Sequence, residues 1–254
     1  MAAEFPHSAY DDRTLQVYLL GSLPFDAILR LQRRLQFDIS GDRAQAALIL
    51  CEHPPLITVG RHGSRSHIRL EAEELRLRGW PIRWVNRGGG CVLHLPGQIA
   101  LYAILPLDRL GLEIAGYLHT LGTAITDLLN DFSVLGEIRA SDGSVCAGSR
   151  PLAALGVTVR DWVTGYGAYV NIQPALDLFR HVTASAEDAL PMTSLERERG
   201  GPMRPSLVRE RLIEHFRTRF GFTRVALFSD HPVLGALPPS TFGRGAGHLT
   251  TENA

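Results

Sequence analysis

The sequence contains no lysine. All 26 of its basic residues are arginine, and 26 acidic residues balance them. A mechanism that needs a lysine ammonium group or a lysine base from this chain is therefore excluded. Because the formal net charge is zero, the chain also lacks the overall positive field that attracts nucleic acid, and we expect no nucleic-acid partner.

Cysteine and long apolar runs are also scarce. The three cysteines, Cys51, Cys91 and Cys146, are too few and too scattered for a disulfide framework or a paired-cysteine zinc site, so we expect no metal and a reducing compartment. The most apolar stretch, residues 92–107, is interrupted by prolines and polar residues and is too short to span a membrane. Residues 1–13 also lack a signal-peptide pattern. The absence of both features predicts a cytoplasmic protein without a membrane partner.

The hydrophobic pattern predicts one α+β domain. Helical periodicity is present over four segments, residues 24–37, 70–78, 113–129 and 207–220. Short apolar runs between them, with short connections, favour a mixed, mainly antiparallel sheet flanked by helices. Beyond Phe222 the composition shifts to Pro, Gly, Ser and Thr, so we place the domain at residues 10–222 and a flexible tail at 223–254.

Two local expectations concern the ends of elements. Residues 153–160 and 166–172 are predicted to be paired strands joined by a polar turn at 161–165. Ser206 is expected to cap the last helix, which stops before Gly221. Both expectations depend on local residue preferences alone.

The most informative segment for function is the stretch 87–98, RGGGCVLHLPGQ in one-letter code. The three glycines at 88–90 allow backbone N–H groups to approach a ligand closely. Arg87, His94 and Gln98 add a cationic fork, an imidazole and an amide. A glycine-rich turn without a ligand explains the glycines alone, but the added polar residues favour a ligand-binding loop. A P-loop is excluded because another strand pattern follows the glycines and no lysine exists.

This segment resembles the signature of the lipoyl/octanoyl transferases, Arg-Gly-Gly followed by Thr-Tyr-His-Gly-Pro-Gly-Gln. The matching residues are Arg87, Gly88, Gly89, His94, Pro96, Gly97 and Gln98. Other blocks resemble the family in the same order: Glu52-His53-Pro54-Pro55, Thr58-Val59-Gly60-Arg61, Ala153-Ala154-Leu155-Gly156-Val157, Asn171-Ile172 and Thr193-Ser194-Leu195. The resemblance covers roughly residues 15–220. It implies the biotin/lipoate protein ligase-like fold, which is related to that of class II aminoacyl-tRNA synthetases.

The resemblance implies a role in protein lipoylation. In this family an octanoyl group leaves the thioester of acyl carrier protein, is held on an enzyme cysteine, and passes to a lysine of a lipoyl domain. The implied acceptors are lipoyl domains of 2-oxoacid dehydrogenases or glycine cleavage proteins. We expect no resident cofactor and a monomeric protein.

The chain departs from the family at the positions that perform catalysis. Pro151 stands at the position of the family lysine, Ser185 at that of the family cysteine, and Tyr166 at that of a histidine. Ser185 is therefore the candidate nucleophile. His181, four residues earlier, would share a face with Ser185 if the segment were helical and would then be a candidate base, but two ordinary surface residues are the better explanation of the pair.

Two thiols are alternative nucleophiles. Cys91 lies within the loop, and Cys146 lies near Arg150, which would favour a thiolate; an inert buried thiol is the simpler explanation of each. The residues expected to bind substrate, with His94 against the acyl group, are Arg61, Arg87, Gly88, Gly89, Gly90, His94, Gly97, Gln98, Arg150, Gly156 and Asn171.

Three functions remain open from the sequence. The first is an octanoyltransferase with an altered catalytic site, and the second is a non-catalytic protein that binds acyl or lipoyl groups. The third is an ATP-dependent lipoate or biotin ligase, which the absence of lysine disfavours because those ligases also rely on a lysine beside the acyl-adenylate.

Overall fold

The computed structural model describes residues 13–184 and 190–235, which form an α+β fold with two sheets. The strands are β1 (Thr14–Ser22), β2 (Ala47–Glu52), β3 (Leu56–Val59), β4 (Ile82–Trp84), β5 (Cys91–His94), β6 (Gln98–Ile104), β7 (Gly136–Ile138), β8 (Val145–Ala147), β9 (Arg150–Arg160), β10 (Val163–Asn171) and β11 (Arg224–Phe228). The helices are α1 (Phe25–Gly41), α2 (Ala72–Arg78), α3 (Leu107–Leu110), α4 (Ile114–Asp131), α5 (Leu195–Arg199), α6 (Pro205–Arg219) and α7 (Pro232–Gly235), with 3₁₀ turns at Arg65–His67 and Leu176–His181.

The larger sheet has the strand order β11-β1-β2-β6-β10-β9-β8-β7. Strand β1 is parallel to both of its neighbours, and the remaining pairs are antiparallel. The mixed, mainly antiparallel sheet predicted from the sequence is therefore confirmed. Its central strand β6 is buried along its whole length because α4 and α6 cover one face and α1 covers the other. A continuous apolar run is the expected sequence of such a strand.

The smaller sheet has the order β4-β3-β5 and covers part of the α1 face of the larger sheet. The chain enters it through Pro54 and Pro55, which have no backbone N–H group and so cannot extend β2 as a paired strand. The outer face of the small sheet has its own core, formed with α2 and the 3₁₀ turn Leu176–His181 through Trp80, Phe179 and Val182. The space between the two sheets contains the candidate site.

Two element ends differ from the sequence expectation. Helix α6 begins at Pro205 with Arg204 as its N-cap, so Ser206 lies inside the first turn and is not the cap. Proline has a fixed helical φ and no N–H group to leave unpaired, which suits the first helical position. Residues 224–235 are also not a flexible tail, because β11 pairs with β1 in parallel and Leu234 of α7 is buried against the α1 side. Residues 236–254 lie outside the described residues.

The β9–β10 hairpin has a tighter turn than the expected segment 161–165. Arg160 pairs with Val163, so only Asp161 and Trp162 form the loop, and their φ angles are +50° and +63°. Two left-handed residues are the requirement of the type I′ turn that matches the twist of a hairpin. A bulky residue at Trp162 adopts this conformation at a cost that glycine does not have.

We predict that Trp162→Gly is more stable than Trp162→Ala by about 1 kcal/mol. Both substitutions remove the same exposed indole, and only glycine relieves the left-handed strain. Urea unfolding of the two variants measures the difference. Equal stability of the two variants would show that the turn is unstrained.

Candidate functional site

A cavity of about 520 Å³ opens between the two sheets, and we call it the acyl cavity. Its volume lies in the range that holds small-molecule ligands. Gln98 and Tyr169 contribute from the large sheet, and β5 forms a wall. The apolar and weakly polar residues of the lining are Cys91, Val92, Leu93, Pro151, Ala153, Ala154, Tyr169, Leu176, Phe179, Val182, Ala184, Leu190, Pro191 and Met192.

The acyl cavity lies against Pro151, the residue at the position of the family lysine. Pro151 is part of the lining, and so is Ala184, the residue directly before Ser185. Ser185 itself lies outside the described residues, so its catalytic role stays a prediction. Proline has neither an amine nor any other titratable group, and position 151 therefore supplies no base to the cavity.

The helical pairing of His181 with Ser185 is wrong as a structural expectation. The 3₁₀ turn ends at His181, and Val182 is extended with φ −139° and ψ 126°, forming a bridge to Ile68. The ring of His181 packs edge-on against Trp80, with ring centroids 6.3 Å apart. Helical spacing therefore gives no reason to assign His181 as a base.

Arg87 lies beside the acyl cavity but is not part of its lining. The residue is only 1% exposed, and its guanidinium donates to the carbonyl of Gly88 at 2.9 Å and to the hydroxyl of Thr58 at 2.8 Å. It also lies over the ring of Tyr169, 5.9 Å from the centroid. Arg87 therefore holds the loop in place, and its direct contact with substrate stays a prediction.

Two of the three loop glycines are required by the backbone geometry, Gly89 by its left-handed φ and Gly90 by a close contact. The N–H of Gly88 donates to Val157 at 2.9 Å, and a Cβ at Gly156 would come within 2.6 Å of the carbonyl of Gly88. Gly89 has a φ of +79°, and a Cβ at Gly90 would overlap the carbonyl of Ala184. The glycines allow the loop to press against β9 and against the wall that precedes Ser185.

His94 is fully buried and lies behind the cavity. Its Nε2 is 2.9 Å from the hydroxyl of Thr58, and its ring meets Tyr169 edge-on at 4.5 Å. Burial, followed by the charges of His53 and Arg87, holds the pKa of His94 well below its usual range, so the ring is neutral. Tyr169 lines the cavity in front of His94, and a contact between His94 and an acyl group stays a prediction.

Gln98 and Asn171 belong to one hydrogen-bonded chain below the cavity. The amide of Gln98, which lines the cavity, donates to Asn171 at 2.9 Å, and Asn171 donates to the carbonyl of Thr193 at 3.1 Å. The N–H of Thr193 in turn donates to the carbonyl of Pro151 at 2.9 Å. These contacts fix the cavity wall at residues 190–192 to the sheet.

The other three predicted binding residues lie outside the lining. Gly97 has a φ of +84°, and its N–H donates to Glu52 at 2.9 Å. Glu52 also pairs with Arg209 of α6 at 2.7 Å, so this carboxylate joins the turn to the helical layer. Arg150 is paired with Glu198 at 2.7 Å, and the backbone N–H of Arg61 donates to Arg87 at 3.0 Å.

Of the two thiols considered as nucleophiles, Cys91 lines the acyl cavity. Its N–H donates to Ala184 at 3.2 Å, its Sγ lies 3.4 Å from the carbonyl of Ser64, and burial raises the pKa of the thiol. Cys146 is buried, with its Sγ 3.6 Å from the hydroxyl of Ser144. Cys91 is thus placed to touch a bound acyl group, although its environment favours the protonated thiol.

Sequence reasoning missed the lining residues that carry no motif. Tyr169 and Phe179 are ordinary apolar positions in the sequence, and the wall at residues 190–192 has no periodic pattern. The one sequence signal for this wall is that Met192 directly precedes the block Thr193-Ser194-Leu195, which resembles the family. These residues line the cavity because of the direction in which their strand faces and because loops distant in sequence come together in the fold.

The fold is that of lipoate protein ligases. A bi-partite lipoate protein ligase from Thermoplasma acidophilum is similar with a TM-score of 0.64 at 15% identity, covering 87% of this chain and 89% of that one. LipL1 of P. falciparum in complex with lipoate has a TM-score of 0.66 at 11% identity, covering 86% of this chain and 69% of its own. The fold class predicted from the sequence is thereby confirmed.

The family follows from a family model and from relatives. The lipoyl protein ligase A/B catalytic domain matches residues 26–217. Octanoyltransferases of Syntrophobacter fumaroxidans and Roseiflexus sp. are 32% and 34% identical to the chain, which they match over 79% and 80% of its length and 88% and 86% of their own. The chain therefore belongs to the lipoyl protein ligase A/B catalytic domain family. Among the described residues, no helix has the length and apolar character needed to cross a membrane.

We predict that Gly90→Ala destabilises the protein and Gly88→Ala does not. The added Cβ at Gly90 would overlap the carbonyl of Ala184, and overpacking of this kind costs about 1–3 kcal/mol. At Gly88 the nearest atom to an added Cβ, the carbonyl oxygen of Val157, is 3.6 Å away, which is an ordinary contact. Thermal and urea unfolding measure both variants. The same stability in both would contradict the packing described here.

We predict that stability falls as the pH is lowered from 6.5 to 4. Burial lowers the pKa of His53 from 6.5 to about 4, so in this window the unfolded chain takes up a proton that the native ring does not. The free energy of unfolding then decreases by up to about 1.4 kcal/mol per pH unit from this residue, while above pH 6.5 it contributes no slope. His94 acts with the same sign.

Urea unfolding between pH 7 and pH 4.5 tests this pH dependence. His53→Gln is expected to flatten the slope, and His119→Gln, at an exposed position on α4, serves as the control. A slope that His53→Gln leaves unchanged would refute the assignment to His53.

Proposed function

We propose that this protein acts in protein lipoylation, moving an octanoyl group from acyl carrier protein to a lipoyl-domain lysine with a catalytic site that differs from the family's. The octanoyltransferase relatives support the reaction class. The Thermoplasma ligase belongs to a lipoylation system with its own E2 lipoyl domain, which supports a lipoyl domain as the acceptor. We further propose that the protein is monomeric and cytoplasmic.

The observation that carries the proposal is the position of the acyl cavity. Its lining includes Pro151 and Ala184 together with Leu93, Phe179 and Met192, whose apolar side chains suit a hydrocarbon chain. These side chains exclude water from an acyl group and contribute no competing nucleophile. The cavity therefore supports binding of a medium-chain acyl thioester.

The proposed chemical step is attack of a side-chain hydroxyl or thiol on the thioester carbonyl. The new oxygen–acyl or sulfur–acyl bond forms, the carrier's carbon–sulfur bond breaks, and the attacking group's proton passes to the departing thiolate of the carrier. Ser185 is the proposed nucleophile from its position in the family pattern, and Cys91 is the alternative that lines the cavity. In the second step the amine of the lipoyl-domain lysine attacks the acyl-enzyme carbonyl, an amide bond forms, the bond to the enzyme oxygen or sulfur breaks, and the proton of the amine returns to that atom.

A second candidate function is binding of an acylated carrier without turnover. The observation that favours it is Pro151, because the position of the family lysine holds no group that can accept a proton. The raised pKa of Cys91 points the same way, since a protonated thiol is a weak nucleophile. The two functions differ in one measurable event, the formation of an acyl-enzyme.

Intact-mass analysis after mixing with octanoyl-acyl carrier protein tests the proposal. We expect a mass increase of one octanoyl group, which Ser185→Ala abolishes and Cys146→Ala does not. If Cys91→Ala abolishes the adduct instead, Cys91 is the nucleophile. If calorimetry detects binding of the acylated carrier but no adduct forms, the protein binds the carrier without transferring the octanoyl group. Neither adduct nor binding would refute both functions.

Restoring the family residues sharpens the same experiment. The double variant Pro151→Lys, Ser185→Cys is expected to transfer octanoyl groups to a lipoyl domain at least tenfold faster than the native chain, because it regains a thiol and a basic neighbour. The matched control is Pro151→Lys, Ser185→Ala, which has the lysine without the thiol. Equal rates in the double variant and its control would contradict the placement of these two positions around the acyl group.

A further inference from the structure

The ring of Tyr169 closes the acyl cavity at one end. Tyr169 is 1% exposed, and its side chain extends from β10 of the large sheet to His94 of the small sheet, with ring centroids 4.5 Å apart. The guanidinium of Arg87 lies over the same ring, 5.9 Å from its centroid. Because these contacts span the gap between the two sheets, the cavity cannot continue past the ring.

The lining of the cavity stops at the level of Tyr169 on two other strands. Among the residues that the structure describes, β5 contributes Leu93 to the lining but not His94. Strand β6 likewise contributes Gln98 but not Tyr102. The ring of Tyr102 lies behind that of Tyr169, with centroids 6.2 Å apart. Aromatic side chains therefore already fill the space beyond the end of the cavity.

Tyr169 is a large side chain flanked by small ones. It pairs with Ala100 of β6 and with Ala154 of β9 in the antiparallel sheet. Directly opposed residues of antiparallel strands point to the same face, so two methyl groups stand on either side of the ring. Ala154 is itself part of the cavity lining. The size of the side chain at position 169 therefore decides how far the cavity extends here.

The distance between Pro151 and the end of the cavity suits a medium-chain acyl group. Ala154, opposite Tyr169, follows Pro151 by three residues along β9, which corresponds to about 10 Å of strand. An extended octanoyl chain has a comparable length. An acyl group with its thioester beside Pro151 would thus reach Tyr169 with its terminal methyl group.

We propose that Tyr169 determines the length of the acyl chain that the protein accepts, by ending the cavity at the terminal methyl group of an octanoyl chain. This inference rests on the proposed function for the identity of the acyl group and for the position of its thioester. A longer chain must displace a ring that His94, Arg87 and Tyr102 hold in place. A shorter chain leaves apolar surface of the cavity uncovered.

Binding of acyl-pantetheine thioesters tests the role of Tyr169, because they are neutral and present the acyl chain without the carrier protein. Calorimetry measures the Kd of the hexanoyl, octanoyl, decanoyl and dodecanoyl thioesters. We expect the native chain to bind octanoyl about tenfold more tightly than decanoyl, and Tyr169→Leu to reverse this order. Burial of two further methylene groups strengthens binding by roughly tenfold where space exists for them.

Three further variants accompany Tyr169→Leu. Tyr169→Phe retains the ring and should keep the preference for octanoyl. Tyr117→Leu makes the same truncation at a buried tyrosine of α4, on the opposite face of the large sheet, and controls for a general loss of stability. Thermal unfolding establishes that each variant is folded. If Tyr169→Leu is not folded, Tyr169→Met replaces it, since its flexible side chain can move aside and should accept decanoyl as well as octanoyl.

Four results would overturn the role of Tyr169: equal native affinity for octanoyl and decanoyl, an unchanged order of affinities in the Tyr169 truncations, an equal change of order in Tyr117→Leu, or no binding of any thioester. The proposed function is judged separately by the adduct formed with octanoyl-acyl carrier protein. A changed order in Tyr169→Leu without a native adduct supports this inference and contradicts octanoyl transfer. A native adduct with an unchanged order in Tyr169→Leu overturns this inference alone.

Discussion

The buried guanidinium of Arg87 is the interaction on which the two-sheet arrangement depends. It binds Thr58 of the small sheet, the carbonyl of the adjacent Gly88 and the ring face of Tyr169 on the large sheet. Within the described part of the chain it has no carboxylate partner, so carbonyl and hydroxyl oxygens solvate the charge. A buried charge is tolerated only with such compensation. This contact joins the small sheet to the large one beside the acyl cavity.

The sequence predicted the parts of the fold that are determined locally. The helices α1, α2, α4 and α6 follow from apolar periodicity, and the mixed sheet follows from short strands with short connections. The pairing of β11 with β1 could not be predicted, because it joins segments about 210 residues apart and its five residues carry no pattern that names a partner. The two-residue turn at Asp161 was missed because neither residue there is the usual glycine or asparagine.

The sequence predicted residues that lie near the candidate site, but it did not predict most of the residues that line the cavity. The motif residues Arg87, His94 and Asn171 do lie around the acyl cavity, but each forms hydrogen bonds with other residues of the protein. Motif reasoning finds residues with distinctive chemistry, and in this site those residues position the walls. The walls themselves are ordinary side chains such as Phe179 and Tyr169, whose selection depends on strand facing and on which loops meet. A linear pattern does not encode either property.

The edge position of β11 has a consequence for how the chain is divided. Strand β1 lies between β11 and β2, so both of its hydrogen-bonding edges are occupied. A chain ending at residue 222, where local composition suggests a boundary, would leave the backbone of β1 unpaired along one side. Exposed strand edges recruit strands from other molecules. Strand β11 therefore covers the long edge of β1, which has 9 residues, and leaves at the margin of the sheet an edge strand of only 5 residues.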